Sequence, residues 1–234
     1  MARNIYGIIS TLFSAAAFRS YVAKRQGIGF DRRYGTDTFA SFPLSAMNGV
    51  DGGLLDHAVQ YEVSAIPKFK RAMSVLRRAG MNDPGQYSFI DVGSGKGLIV
   101  MLAAREAFKG VYGVEMAPAL HEIAGNNVRI FEGQGASRCP IVLSCGNALT
   151  YQWPDGNVIV YLYNPFDEEL TSEFIDRIVL EAGHGDRNVY VVYVNPVHKS
   201  LFERVSALRS VYSDSTLSVY EYIADALNAG REER

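Results

Sequence analysis

The chain has 234 residues, 48% of them hydrophobic and 21% charged, with 22 Gly, 8 Pro and 2 Cys. That length can bury a full core, the apolar content excludes a mainly disordered chain, and two cysteines cannot frame a disulfide scaffold or a four-ligand zinc site. The net charge of −2 hides an asymmetry: residues 1–80 carry 11 Lys+Arg against 5 Asp+Glu, while residues 81–234 carry 12 against 20.

In chain order, Ile5 to Phe18 places Ile5, Ile8, Ile9, Leu12, Phe13 and Ala16 on one helical face. This reads as an amphipathic helix rather than a secretory leader. No run reaches the ~18 apolar residues of a spanning helix, so no membrane span is expected. A turn-rich stretch follows from Gly27 to Gly53, then a second helix near Ser64–Arg78. From Ser88 the pattern alternates. Strands are expected at Ser88–Val92, Val111–Glu115, Ile141–Cys145, Val158–Tyr163 and Val189–Val194, with Ser210–Tyr212 and Leu217–Ile223 as a closing antiparallel pair. Helices are expected at Leu98–Phe108, Ala117–Phe131, Leu170–Ala182 and His198–Leu208.

This βαβ alternation predicts an α/β fold: a doubly wound, mostly parallel seven-stranded sheet, with an N-terminal helical cap. The expected division is a cap and substrate lid over 1–87, a ligand-binding domain over 88–226 and a frayed tail over 227–234. In such sheets the ligand crevice lies at the carboxyl ends of the strands. Function is therefore expected just after Val92, Val114, Cys145, Tyr163 and Val194. Cys139 and Cys145, if extended, sit about 20 Å apart, beyond the ~7 Å reach of a disulfide. Reduced thiols suggest a cytoplasmic protein, and His57, His121 and His184 show no ligand spacing, so no metal site is expected, while His198 near a helix start reads as a capping or surface residue rather than a general base.

The sharpest element is Phe89-Ile90-Asp91-Val92-Gly93-Ser94-Gly95-Lys96-Gly97. A phosphate-binding P-loop needs Gly six residues before its Lys, where Ile90 stands, and Ser/Thr after it, where Gly97 stands. A dinucleotide fingerprint needs its third glycine where Leu98 stands, which disfavours a Rossmann dehydrogenase. The remaining ligand class is S-adenosylmethionine (SAM).

Asp91 to Gly97 resembles motif I of class I SAM-dependent methyltransferases, and Val111–Glu115 resembles their second strand, which ends in a carboxylate. Phe30-Asp31-Arg32-Arg33-Tyr34-Gly35, the glycine loop, Asn164-Pro165-Phe166 and Tyr193-Val194-Asn195-Pro196 together are similar to a poorly characterised bacterial group of these enzymes. The likeness to non-SET histone-lysine methyltransferases is more distant. The resemblance implies a Rossmann-like methyltransferase fold and SAM as cofactor, with S-adenosylhomocysteine (SAH) as product.

It further implies that Asp91 lies near the methionine amino group and that Gly93, Ser94, Gly95 and Gly97 approach the ligand backbone. Glu115 would accept from the ribose hydroxyls and Met116 would lie against the adenine. Asn147, with Ala148, stands where the family usually has an adenine-contacting Asp. Tyr61, followed by Glu62, matches the aromatic-acidic segment that borders the SAM carboxylate.

At the end of the fourth strand, Asn164, Pro165 and Phe166 resemble the Asn/Asp-Pro-Pro-aromatic site of methyltransferases acting on nitrogen. This chain lacks the second Pro, and its ring comes one residue early. The expected reaction is methyl transfer to an acceptor of unknown class, most simply a protein or small-molecule amine. The alternatives are a SAM-binding scaffold without turnover and an O-methyltransferase. A basic front on an acidic body could steer an anionic partner, but its excess is small and the pI near 6.1 is low, so nucleic acid is not expected.

Overall fold

The computed structural model describes residues 15–39 and 66–224, with side-chain surroundings from residue 24 onward. Tyr61, Glu62 and the run before Ala15 therefore lie outside the described residues. Helices α1 (Ala15–Tyr34) and α2 (Ile66–Arg78) precede the sheet. They are followed by β1 (Tyr87–Val92), α3 (Leu98–Ala103), β2 (Gly110–Glu115), α4 (Pro118–Gly133) and β3 (Ile141–Cys145). The chain continues through β4 (Asn157–Tyr163), α5 (Glu168–Ala182), β5 (Val189–Val194), α6 (Lys199–Glu203), β6 (Leu208–Ser213) and β7 (Leu217–Tyr222).

The seven strands lie in the order β3-β2-β1-β4-β5-β7-β6. β1 to β5 pair in parallel, whereas β7 enters antiparallel between β5 and β6. This is the expected doubly wound sheet. The strand order reverses between β1 and β4, where Val92 stands beside Leu162. That switch point opens a crevice at the carboxyl ends of the two strands.

β1 and β4 are buried on both faces because each pleat faces a separate apolar layer. Phe89 and Tyr161 point into a layer with Phe69, Met101 and Phe131, whereas Ile90, Val92 and Val160 point into one with Phe174, Ile178 and Phe202. The two edges differ. β6 carries a register shift between Ser210 and Tyr212 and an Arg209–Glu221 ion pair at 2.5 Å. β3 is five residues long with no charged side chain, and Val142 on it is 45% exposed.

Three expected elements differ from those observed. The stretch beginning at Gly27 is not turn-rich at its start, because α1 runs through Gly27 and Gly29 to Tyr34. Each glycine lowers helix stability by about 1 kcal/mol relative to Ala. Tertiary packing offsets this: Phe30 and Tyr34, one turn apart, pack against each other and against Phe131 of α4, Phe30 stacked on that ring and Tyr34 edge-on to it. Gly27 is also required by close approach, since a Cβ there would lie 2.0 Å from the Phe39 ring. The helix after the glycine loop stops at Ala103 rather than Phe108, because the chain turns through a left-handed Ala107 to reach β2. The helix after β5 stops at Glu203, because Leu208 already belongs to β6.

Candidate functional site

The loop after β1 turns through three left-handed glycines, Gly93 (φ 73°), Gly95 (φ 52°) and Gly97 (φ 85°). Other residue types adopt this conformation only with strain, which is why the loop is glycine-rich. The N–H groups of Gly93 and Ser94 donate to the Val114 carbonyl at 2.9 and 3.0 Å, fixing the loop to the end of β2. Gly113 lets β2 approach, since a Cβ there would lie 2.8 Å from Leu143 and 2.9 Å from Val100.

Glu115 is 7% exposed, and both of its oxygens organise this corner. Oε2 accepts from the Gly95 N–H and Oε1 from the Ala117 N–H, each at 2.8 Å. A carboxylate has about four lone-pair sites, so acceptor capacity remains for a ligand. Burial pushes its pKa up, against the lowering effect of the backbone N–H groups of Ala117, Gly95 and Met116. Met116 beside it is half-buried, and Ser94 is buried at the base of the loop.

Asp91 is 4% exposed and its carboxyl has no hydrogen-bond partner among the described residues. Burial, and then the Glu115 charge, push its pKa up to about 8. A buried carboxylate without a partner is costly unless a cation or donor meets it. With Glu115 beside it, already held by the Gly95 and Ala117 N–H groups, it makes a locus that calls for a ligand bearing positive charge and hydroxyls.

Asn147 is half-buried after β3, and its Oδ1 accepts from the Leu149 N–H at 2.9 Å. This turn fixes the amide, so its NH₂ is the end presented elsewhere. The adjoining Ala148 is buried in the core layer.

Across the switch point, β4 ends in Asn164-Pro165 and β5 in Asn195-Pro196. Both asparagines are left-handed, at φ 42° and 51°. Non-glycine residues in this region store about 1–3 kcal/mol of strain, and such positions concentrate at functional sites. Pro165 packs on the glycine loop: its Cβ would lie 3.1 Å from a Cβ on Gly93. Asn164 Oδ1 accepts from the Tyr193 hydroxyl at 2.7 Å, and that hydroxyl accepts from the His198 N–H at 3.3 Å. Phe166 is half-buried, with its ring 5.4 Å from that of Phe174 on α5. The fold thus brings Asp91, the glycine loop, Glu115, Asn164 and Pro165 to one crevice, while Phe166 packs into a structural layer.

A contact between the front segment and the glycine loop adds residues that spacing did not single out. The Lys96 side chain is 2% exposed, and its ammonium lies 3.3 Å from the Asp37 carboxylate. Asn127 of α4 accepts from the Asp37 N–H at 2.8 Å and donates to the carbonyls of Asp37 and Lys96 at 3.0 and 2.9 Å. Asp31 closes the turn before it, accepting from the Thr36 and Thr38 hydroxyls and from the N–H groups of Thr38 and Phe39. Among the described residues no cluster of His, Cys, Asp and Glu could hold a metal, and no helix is long and apolar enough to cross a membrane.

Replacing Glu115 by Ala is expected to weaken SAM binding by about 1.5–3 kcal/mol, the usual worth of hydrogen bonds to a charged group. Glu115→Gln is not the milder change that its remaining acceptor suggests. Its NH₂ must face the N–H of either Gly95 or Ala117, setting donor against donor. Calorimetry checks both variants, and unchanged affinity in both would leave Glu115 as a strand-end charge.

No family model and no curated protein matches the chain. Solved structures do resemble it. An RNA methyltransferase from Salinibacter ruber in complex with SAH is 17% identical, with a TM-score of 0.47, covering 68% of this chain and 91% of that one. A ribosomal protein L11 methylase from Lactobacillus delbrueckii is 15% identical, with a TM-score of 0.45, covering 66% and 77%. A magnesium protoporphyrin IX methyltransferase from Synechocystis with bound SAH is 13% identical, with a TM-score of 0.44, covering 89% and 98%.

Proposed function

We propose that this protein is a SAM-dependent methyltransferase. The observation that carries the reading is Asp91, a buried carboxyl with no hydrogen-bond partner among the described residues, beside Glu115 and three left-handed glycines at the switch point. The donor set fits the cofactor. Asp91 would hold the amino group of its methionine part, Glu115 its ribose hydroxyls, and the glycines leave room for close backbone approach. Met116 and the Asn147 amide would border the adenine. Bound there, SAM supplies a methyl group on a sulfonium and leaves as SAH.

The chain's own residues then position the acceptor. Asn164 retains a lone pair on Oδ1 beside the one that meets Tyr193. With the Pro165 carbonyl it can accept hydrogens from an amine, holding its nitrogen in line. In-line displacement depends on such alignment more than on a strong base. An amine acceptor is the reading that these two acceptors favour. SAM binding without turnover is the second reading, favoured by Phe166, whose ring packs tilted against Phe174. Incubating the protein with SAM and candidate amines and measuring SAH separates them. SAH formed with an acceptor supports the enzyme, whereas tight SAM binding without SAH supports the scaffold.

The front segment acts as a lid over this crevice. Its support is the Asp37–Lys96 contact and the Asn127 bridge, which tie residues 35–39 to the glycine loop. Closure of such a segment excludes water and fixes the acceptor. Hydrogen exchange across residues 24–39 should therefore slow when SAH is added, and Asn127→Ala should abolish the slowing. Exchange indifferent to SAH would leave the segment as a static brace.

A further inference from the structure

A second cleft lies away from the cofactor crevice. It is an open depression of about 390 Å³ lined by Arg33, Tyr34, Arg105, Gln134 and Arg138, among others. Arg105 follows α3, Gln134 caps the end of α4 and Arg138 leads into β3. Helices α3 and α4 start at the carboxyl ends of β1 and β2, so their far ends reach the amino ends of the strands. The cleft therefore faces the amino ends of the strands, whereas the glycine loop stands at their carboxyl ends.

Among the described residues its three arginines belong to those that no carboxylate neutralises, with Arg32, Arg78, Arg129, Arg187 and Arg204, and they differ from these in lining one cleft together. Arg71, Arg77, Arg177 and Arg209 are each paired with a carboxylate. Arg33, Arg105 and Arg138 have no carboxylate partner among the described residues, and no acidic side chain lines the cleft. Arg33 is held over the Tyr34 ring, 5.3 Å from its centroid, and Gln134 ties the cleft wall to the Tyr34 carbonyl at 2.7 Å. Three guanidiniums around one cleft with no carboxylate in its lining leave a place for phosphate groups, which accept their paired N–H groups.

We propose that this cleft binds a small phosphorylated molecule with at least two phosphate groups, at a site separate from the cofactor crevice. Three positive charges match a diphosphate, and the volume suits a ligand of nucleotide size. The acidic excess of residues 81–234 disfavours an extended polyanion.

Calorimetric titration of the full chain with pyrophosphate, ADP, inorganic phosphate and a short single-stranded oligonucleotide tests this. Pyrophosphate and ADP should bind one-to-one and more tightly than inorganic phosphate. Arg105→Gln and Arg138→Gln should each weaken them about tenfold or more. The Arg209→Gln control should match the wild type, and SAH affinity should be the same in all variants. Absence of pyrophosphate and ADP binding would overturn the proposal, as would binding retained when both cleft arginines are replaced. Oligonucleotide binding lost in the arginine variants, without pyrophosphate binding, would overturn it in favour of a nucleic-acid backbone.

Discussion

Gly95→Val is expected to abolish SAM binding in a protein that still folds. Gly95 sits at φ 52°, where a β-branched side chain is strained, and its N–H holds Glu115 Oε2 at 2.8 Å. Valine would disturb both the loop and the carboxylate it orients, and would fill the face that the ligand must approach. The strain of about 1–3 kcal/mol falls on a loop outside the two apolar layers, so the sheet should survive. Circular dichroism reports the fold and calorimetry the affinity. A folded Gly95→Val protein with wild-type affinity would remove the cofactor assignment.

The second large effect concerns protons. Asp91 has a folded-state pKa near 8, raised by burial first and by Glu115 second. Its ordinary value is about 4, so the folded protein without ligand binds more protons than the unfolded chain between these limits. The contribution of Asp91 to stability is thus fully present below pH ~4 and is lost as pH rises toward 8. A cationic amino group selects the ionised carboxylate, so binding must expel that proton. SAM affinity should rise by up to about tenfold per pH unit between pH 6 and 8. Asp91→Asn should flatten this profile and weaken binding at pH 8 by roughly 10- to 100-fold. A wild-type affinity that stays flat from pH 6 to 8 would show that Asp91 does not meet the cation.

The sheet was legible because apolar runs of five to seven residues, separated by helical spacing, encode their own topology. The crevice followed from strand order, and the glycine loop from residues that tolerate positive φ. What escaped the sequence depends on partners distant along the chain. Gly27 and Gly29 look like helix breakers until Phe131 supplies the surface on which Phe30 and Tyr34 pack. Asn127 looks like an ordinary helical asparagine, yet it bridges Asp37 and Lys96, 90 and 31 residues away. That no described residue hydrogen-bonds the Asp91 carboxyl depends on what does not surround it, which no local pattern can express. Phe166 shows the reverse: a triplet that suggests substrate contact places its ring on Phe174, because α5 begins two residues later.

The unequal edges of the sheet have a consequence for handling the protein. Along β6 the register shift and the Arg209–Glu221 pair make the outer backbone a poor template for another strand. β3 offers five uncharged residues, with Val142 exposed and Cys145 at its end. Burial and the Glu115 charge push the Cys145 thiol up, so it is mostly protonated near neutrality and slow to oxidise. Self-association in concentrated stocks should therefore begin by backbone pairing along β3 and resist reductant. A lysine in place of Val142 should raise the concentration at which the protein stays clear.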